Sequence, residues 1–169
     1  MRMVLAIWMC LTAGAVAAEP TEALKAPGTG DPAGFVPGNC ATQRNLDARG
    51  RAQAARTGAA LRAAGVTLDR VWTSRWWRAR ETAALMQMGT PEEMPPLESF
   101  FDGRGDETAQ TGAALALIAA LPEDTRLLIV THQVNITALT GLGVGSGEII
   151  VTRRGPAGLV PVGRHLITP

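Results

Sequence analysis

The chain has 169 residues, of which 46% are hydrophobic, and it carries 16 basic residues against 15 acidic ones. This length can bury one hydrophobic core and is too short for two ordinary ones, so we expect a single domain. A net charge close to zero argues against nucleic acid or an anionic membrane surface as the main partner. The two cysteines are Cys10 and Cys40, too few for a disulfide scaffold or a cysteine-rich metal site.

The first 18 residues have the pattern of a secretory signal peptide. Arg2 precedes an apolar run over residues 3–11, and small residues lead to a cleavage site after Ala18. The run is shorter than the roughly 20 apolar residues that a membrane span needs. We therefore expect a leader over 1–18 and a periplasmic or secreted domain over 19–169, with no stable membrane span after cleavage. The alternative is that the leader segment stays in the protein as a buried strand or helix.

Helical and strand patterns alternate along the rest of the chain, which predicts a three-layer α/β fold with a mostly parallel sheet flanked by helices. Ligands bind beyond the carboxyl ends of such strands. Ser74 and His132 each end a predicted strand, so both should face the same rim of the sheet. The predicted elements are a loop over 19–40, helices over 45–64, 76–88 and 108–121, strands over 66–74 and 126–131, a helix from 134, and closing strands over 147–155 and 158–163.

The segment SRWWRARETA places Arg75, Arg78 and Arg80 around a turn from strand to helix. A guanidinium there can make two parallel hydrogen bonds to a phosphate, and the free N–H groups of the helix start add donors. The alternative is a solvated helix face rich in arginine. His132 has two interpretations as well, a structural histidine or a ligand contact.

Three segments, in this order, resemble the histidine phosphatase superfamily, which has the phosphoglycerate-mutase-like fold. NLDARGRAQA resembles the L-x-x-x-G-x-x-Q-A helix of that family, SRWWRARETA its S-x-x-x-R-A-x-x-T-A segment, and IVTHQVNITAL its late V-[ST]-H segment. The resemblance covers about residues 26–162. THQVN, with Thr131 where the best-known members have glycine, is similar to a secreted bacterial branch.

The resemblance implies phosphomonoester hydrolysis in two steps, without a metal ion or other cofactor. In the family, one histidine attacks phosphorus and water hydrolyses the resulting phosphohistidine, while a second histidine and two arginines hold the phosphoryl oxygens. By position, Arg78 matches the second of these arginines and His132 the second histidine, and Ser74 lies at the same rim as a further phosphate contact. The implied partner is a small phosphorylated substrate or inorganic phosphate.

A carboxylic acid that protonates the leaving group completes the implied site. The segment ESFFDGRGDE offers Glu98, Asp102 and Asp106. We choose Asp102, because a charged group between two phenylalanines and a glycine turn could reach the rim. The alternative is an aspartate that forms the turn before Gly103.

The R-H-G or R-H-A motif that carries the nucleophile of the family is missing. Upstream of APGTGDPAGF, where it should stand, are Glu22 and Ala23, without the apolar strand that should precede it. Three explanations remain open: a truncated relative lacking the first strand, a substitute strand from MVLAIWMCL, or a nucleophile elsewhere. His165 follows Arg164 near the end of the chain, but no glycine or alanine comes after it.

The sequence therefore predicts a histidine phosphatase family protein whose nucleophile is not evident. The rival from another class is a noncatalytic pseudophosphatase that binds phosphate or another anion. A third possibility is that the mature chain does not fold by itself.

Overall fold

The computed structural model of the protein describes residues 6–10 and 31–167. Its strands are β1 Ala6–Cys10, β2 Arg70–Thr73, β3 Pro91–Glu93, β4 Leu127–Val130, β5 Glu148–Gly155 and β6 Gly158–Leu166. They form one sheet in the order β3-β2-β4-β1-β5-β6. The strands β3, β2, β4 and β1 are parallel to one another, β5 is antiparallel to β1, and β6 is antiparallel to β5. The predicted α/β class with a mostly parallel sheet is confirmed.

The helices are α1 Ala48–Ala63, α2 Trp77–Met86, α3 Glu107–Ala120 and α4 Gln133–Thr140. Aspartates begin two of them: Asp47 accepts a hydrogen bond from the N–H of Gly50 at 2.7 Å, and Asp106 accepts one from Ala109 at 2.9 Å. These bonds satisfy N–H groups that have no partner within the helix. None of the helices in the described part of the chain is long and apolar enough to cross a lipid bilayer.

The sheet has an apolar core on both faces because β4 alternates its side chains between them. Leu127 and Ile129 pack on the side of α3 and α4, whereas Leu128 and Val130 pack on the side of α1 and α2. All four are almost completely buried, and each such burial contributes about 1.5–3 kcal/mol. The strand is thereby held at the centre of three layers, which positions the residues that follow it.

The structure differs from the prediction at two strands. The strand predicted over 66–74 is limited to Arg70–Thr73, because the N–H of Val66 bonds to the carbonyl of Leu61 and continues the turn that ends α1. The short strand β3 was missed, since its proline-rich segment breaks strand patterns. Pro91 is tolerated there because β3 lies at the edge of the sheet, where a missing N–H leaves no partner unpaired.

The interior of the sheet includes a strand from the predicted leader. β1 pairs in parallel with β4, with Ile7 opposite Leu128, and antiparallel with β5, with Ile7 opposite Val151. Residues 6–10 therefore lie between β4 and β5, as in the alternative in which the leader segment stays in the protein as a strand. Cleavage of a leader after Ala18 remains a prediction.

Candidate functional site

Ser74 and His132 meet at the rim of the sheet. Ser74 follows β2 and His132 follows β4, and these adjacent parallel strands align Thr73 with Val130. The hydroxyl oxygen of Ser74 lies 2.8 Å from Nε2 of His132, and the two residues are only 0% and 4% exposed. The rim position expected from the sequence thus becomes a direct contact between the two side chains.

Arg78, in the first turn of α2, brings its guanidinium to the same point. Its Nη2 lies 3.2 Å from Nδ1 of His132, and its Nη1 donates to Oδ1 of Asp31 at 2.7 Å. A guanidinium has donors only, so Nδ1 must be the acceptor of the first bond. On this assignment from hydrogen-bond partners, Nε2 carries the proton and donates it to Ser74.

The surroundings of His132 favour its neutral form. Burial lowers the pKa of His132 well below its ordinary value, the charge of Arg78 lowers the pKa further, and Asp31 opposes them. The imidazole is therefore uncharged near neutral pH. Because Nε2 already holds a proton in this state, His132 cannot act as a general base toward Ser74, so the two do not form an activated serine nucleophile.

Asp31 is a member of the site that sequence reasoning missed. Its Oδ1 also accepts from the backbone N–H of Arg44 at 3.1 Å, and its Oδ2 accepts from Nε1 of Trp76 at 2.9 Å. Burial raises the pKa of Asp31, but the charge and hydrogen bond of Arg78, with the bonds from Arg44 and Trp76, lower it overall. The signal in the sequence was weak: one acid in a glycine- and proline-rich loop, 47 positions from Arg78.

Aromatic rings cover the cluster. Trp76 stacks on Phe35 with ring centroids 4.8 Å apart, and it meets the ring of His132 edge to face at 5.2 Å. The guanidinium of Arg104 lies over Phe35, 5.0 Å from the ring centroid. The segment from Asp31 to Phe35 is thus packed directly on the residues that surround His132.

The other two arginines of the SRWWRARETA segment lie outside this cluster. Arg75 forms an ion pair with Glu98, and Arg80 pairs with Glu93 at 2.9 Å. Their side chains are 49% and 42% exposed, against 11% for Arg78. Arg78 is therefore the arginine of the three that the fold desolvates, and its interactions are correspondingly less screened by water.

The three candidate acids have different environments. Asp102 is exposed in a 3₁₀ turn, Phe101–Gly103, with a left-handed backbone at φ 60°, and among the contacts of the described residues none joins it to Arg78 or His132. Asp106 caps α3. The backbone carbonyl of Glu98 accepts from Asn135 at 3.0 Å, which connects it to the helix that follows His132. The role chosen for Asp102 stays a prediction.

His165 is on the edge strand β6, where it is exposed and lies opposite Ile149 of β5. Three strand spacings separate β6 from β4, which corresponds to about 14 Å at the usual spacing. His165 is therefore not a member of the cluster around His132. These two are the histidines of the chain.

The described cluster is suited to holding an anion. Three donors converge on one carboxylate: Nη1 of Arg78, Nε1 of Trp76 and the N–H of Arg44. The part of the chain that the structure describes contains no group of three His, Cys, Asp or Glu side chains able to hold a metal ion.

Comparisons with known proteins agree with the resemblance in sequence. Residues 40–101 match the family model of the histidine phosphatase superfamily (branch 1). This range contains α1 and α2 with Arg78, and it ends before His132. No curated protein sequence is similar enough to the chain to identify a relative.

Several solved structures share the fold over almost the whole chain. The protein histidine phosphatase SixA complexed with tungstate is 14% identical, with 96% of each chain covered and a TM-score of 0.63. The putative phosphohistidine phosphatase SixA from Agrobacterium tumefaciens is 15% identical, with 97% of this chain and 98% of that chain covered and a TM-score of 0.60. The putative SixA from Nakamurella multipartitia is 18% identical, with 95% of each chain covered and a TM-score of 0.61. The chain therefore has the histidine phosphatase fold, and its residues 40–101 carry the sequence pattern of branch 1 of that superfamily.

Proposed function

We propose that this protein binds a tetrahedral oxyanion at Arg78 and His132, either inorganic phosphate or the phosphoryl group of a small molecule. The observation that carries the proposal is the buried guanidinium of Arg78 in contact with His132 at the carboxyl rim of the sheet. This rim is where α/β sheets bind ligands. A guanidinium matches the geometry of phosphate with two parallel hydrogen bonds.

His132 and Ser74 supply the remaining contacts. A bound dianion favours the charged imidazole, so anion binding is accompanied by uptake of a proton at His132. The imidazolium then donates from one nitrogen to the ligand. Ser74 Oγ, 2.8 Å from Nε2, can donate its own proton to a second ligand oxygen.

The proposed binding proceeds without phosphohistidine chemistry. Both nitrogens of His132 are engaged in the free site, one by Arg78 and one by Ser74. Both carry a proton in the imidazolium of the bound site, so neither presents a free lone pair to phosphorus in either state. The sequence supplies no histidine before His132. An anion held without a nucleophile is bound and released unchanged.

The second candidate is phosphomonoester hydrolysis, and the likeness in fold to proteins named as histidine phosphatases favours it. The reaction converts a phosphomonoester and water into an alcohol and phosphate. It needs a nucleophile other than the missing family histidine, and Asp102 is the candidate acid for the leaving group. Arg78 and His132 would hold the phosphoryl oxygens in this case as well.

Calorimetry with phosphate, combined with a turnover assay on an aryl phosphate, separates the two candidates. The variants are Arg78→Ala and His132→Ala, with Arg80→Ala as a control that removes an exposed arginine. Phosphate binding that is lost in the first two variants and kept in the control, without turnover, supports the binding protein. Turnover that disappears in both site variants supports hydrolysis. Binding that is indifferent to Arg78 overturns the site.

Export is a further proposal, which rests on the leader pattern over residues 1–18. The fold requires that these residues stay in the protein, because β1 contributes residues 6–10 to the sheet interior. A periplasmic or secreted protein with the fold described here keeps this strand. The mass of the protein recovered from the cell and from the medium tests both points.

A further inference from the structure

We propose that the carboxylate of Asp31 is a built-in occupant of the oxyanion site, and that an external oxyanion binds by displacing it from Arg78. The inference rests on the proposed function and adds a form of regulation to it. An internal anion sets the affinity of the site and excludes weak ligands.

Asp31 satisfies the donors that an anion would use. Its Oδ1 accepts from Arg78 at 2.7 Å and from the N–H of Arg44 at 3.1 Å, and its Oδ2 accepts from Trp76 at 2.9 Å. A carboxylate with these charge-assisted partners occupies the same hydrogen-bonding directions as two oxygens of a phosphate.

Asp31 also blocks access of an anion from solvent to Arg78. The side chain of Asp31 is 3% exposed and that of Arg78 is 11% exposed, while Ser74 and His132 are buried. An anion from solvent therefore cannot reach Nη1 of Arg78 as long as Asp31 stays in place. The two negative groups also repel each other strongly in such a desolvated position, so the site holds one of them at a time.

Asp31 begins the segment 31–35, which moves with it. Phe35 stacks on Trp76, and Arg104 donates to the backbone carbonyls of Asp31 at 3.4 Å and Pro32 at 3.3 Å. Ala33 and Gly34, in the middle of the segment 31–35, are exposed, which is typical of segments that open locally. Release of Asp31 therefore lifts the segment 31–35 and uncovers Trp76 and His132 together.

The test compares phosphate binding by the full chain and by Asp31→Asn, which keeps the shape and removes the charge. Glu93→Gln is the matched control, because it removes one carboxylate from an arginine pair at the exposed position of Arg80. We expect Asp31→Asn to tighten phosphate binding at least about fivefold, the lower end of usual couplings between sites, and the control to leave it unchanged. Equal or weaker binding by Asp31→Asn overturns the inference.

The outcomes also separate this inference from the function on which it rests. If Arg78→Ala abolishes binding and Asp31→Asn does not tighten it, the oxyanion site stands and Asp31 only positions Arg78. If neither the unaltered chain nor Asp31→Asn binds phosphate through Arg78, the proposed function and this inference are both wrong.

A measurement on the unaltered chain covers the case in which Asp31→Asn does not fold. Amide hydrogen exchange is recorded with and without saturating phosphate. Faster exchange in the segment 31–35 with phosphate supports displacement, whereas unchanged or slower exchange there contradicts it.

Discussion

The guanidinium of Arg78 lies 3.2 Å from Nδ1 of His132, although 54 positions separate them in the chain. This contact assigns the imidazole tautomer, because the arginine can only donate and Nδ1 can only accept. Burial, together with the adjacent charge of Arg78, lowers the pKa of His132, so the imidazole stays neutral until an anion binds. The response of the site to pH follows from this pair.

The stability of the protein should fall as the pH is lowered below about 6.5, the ordinary pKa of histidine. Burial lowers the pKa of His132 in the folded protein, so the unfolded chain binds the proton first. Stability from this group is thus present above pH 6.5 and is lost toward the folded pKa, by at most about 1.4 kcal/mol per pH unit. The pKa of Asp31 is also lowered in the folded protein, so this group adds a second loss of stability below about pH 4.

Urea unfolding at several pH values between 8 and 5 measures this dependence. Replacement of His132 by glutamine should remove the slope in this range. The matched control is His165→Gln, at an exposed position on β6, which should keep the slope. A slope that His132→Gln leaves intact would contradict the neutral, buried imidazole.

The affinity for sulfate should rise as the pH is lowered from 8 to 5.5. Sulfate keeps its double negative charge over this range, so the change reports on the protein. A bound anion favours the protonated imidazole of His132, which faces Arg78 and Asp31 in the free site. Titration calorimetry should also detect proton uptake, because the measured heat of binding then depends on the ionisation enthalpy of the buffer. A flat affinity would count against His132 as a contact.

Replacement of Ser74 by alanine should destabilise the protein by about 1–3 kcal/mol, the cost of leaving a buried donor unpaired. The donor is the Nε2–H of His132, whose partner at 2.8 Å is the Ser74 hydroxyl. Denaturant unfolding measures the effect. In the Ser74→Ala, His132→Ala double variant the loss should be less than the sum of the two single losses. Strict additivity would mean that the bond contributes nothing.

Replacement of Gly58 by alanine should destabilise the fold by about 1–3 kcal/mol, the usual cost of overpacking. A Cβ at this position of α1 would overlap the backbone carbonyl of Met86 in α2. The matched control is Gly112→Ala in α3, where a Cβ meets nothing within 4 Å. That change should stabilise by about 0.5–1 kcal/mol, since alanine favours a helix. Thermal unfolding of both variants tests the close contact of α1 and α2.

Removal of residues 1–18 should abolish the cooperative unfolding transition. The deletion takes β1 from between β4 and β5, and every backbone group that stays buried and dry without a partner costs about 1–3 kcal/mol. Several such groups exceed a typical margin of about 5–15 kcal/mol. A control that lacks residues 1–4 retains the strand. A normal melt after removal of 1–18 would show that the fold does not depend on β1.

The alternation of elements was predictable because it depends on local periodicity. α1, α2 and α3 follow helical patterns in the sequence, and LLIV of β4 is a continuous apolar run. The limits of β2 and the existence of β3 were not predictable in this way. The start of β2 is limited by the bond from Val66 to Leu61 that ends α1, and β3 exists because it pairs with β2, which overrides the local preference of proline.

By itself, the sequence determined the α/β layering and the placement of Ser74 and His132 after two strands, because hydrophobic periodicity and strand ends are local properties. Only the tertiary structure decided that Asp31 meets Arg78 and that residues 6–10 enter the sheet beside β4. These contacts join distant parts of the chain, and their free energy comes from charge-assisted hydrogen bonds at Asp31 and from strand pairing at β1. Neither contact produces a local pattern in the sequence, because both form only when the chain has folded.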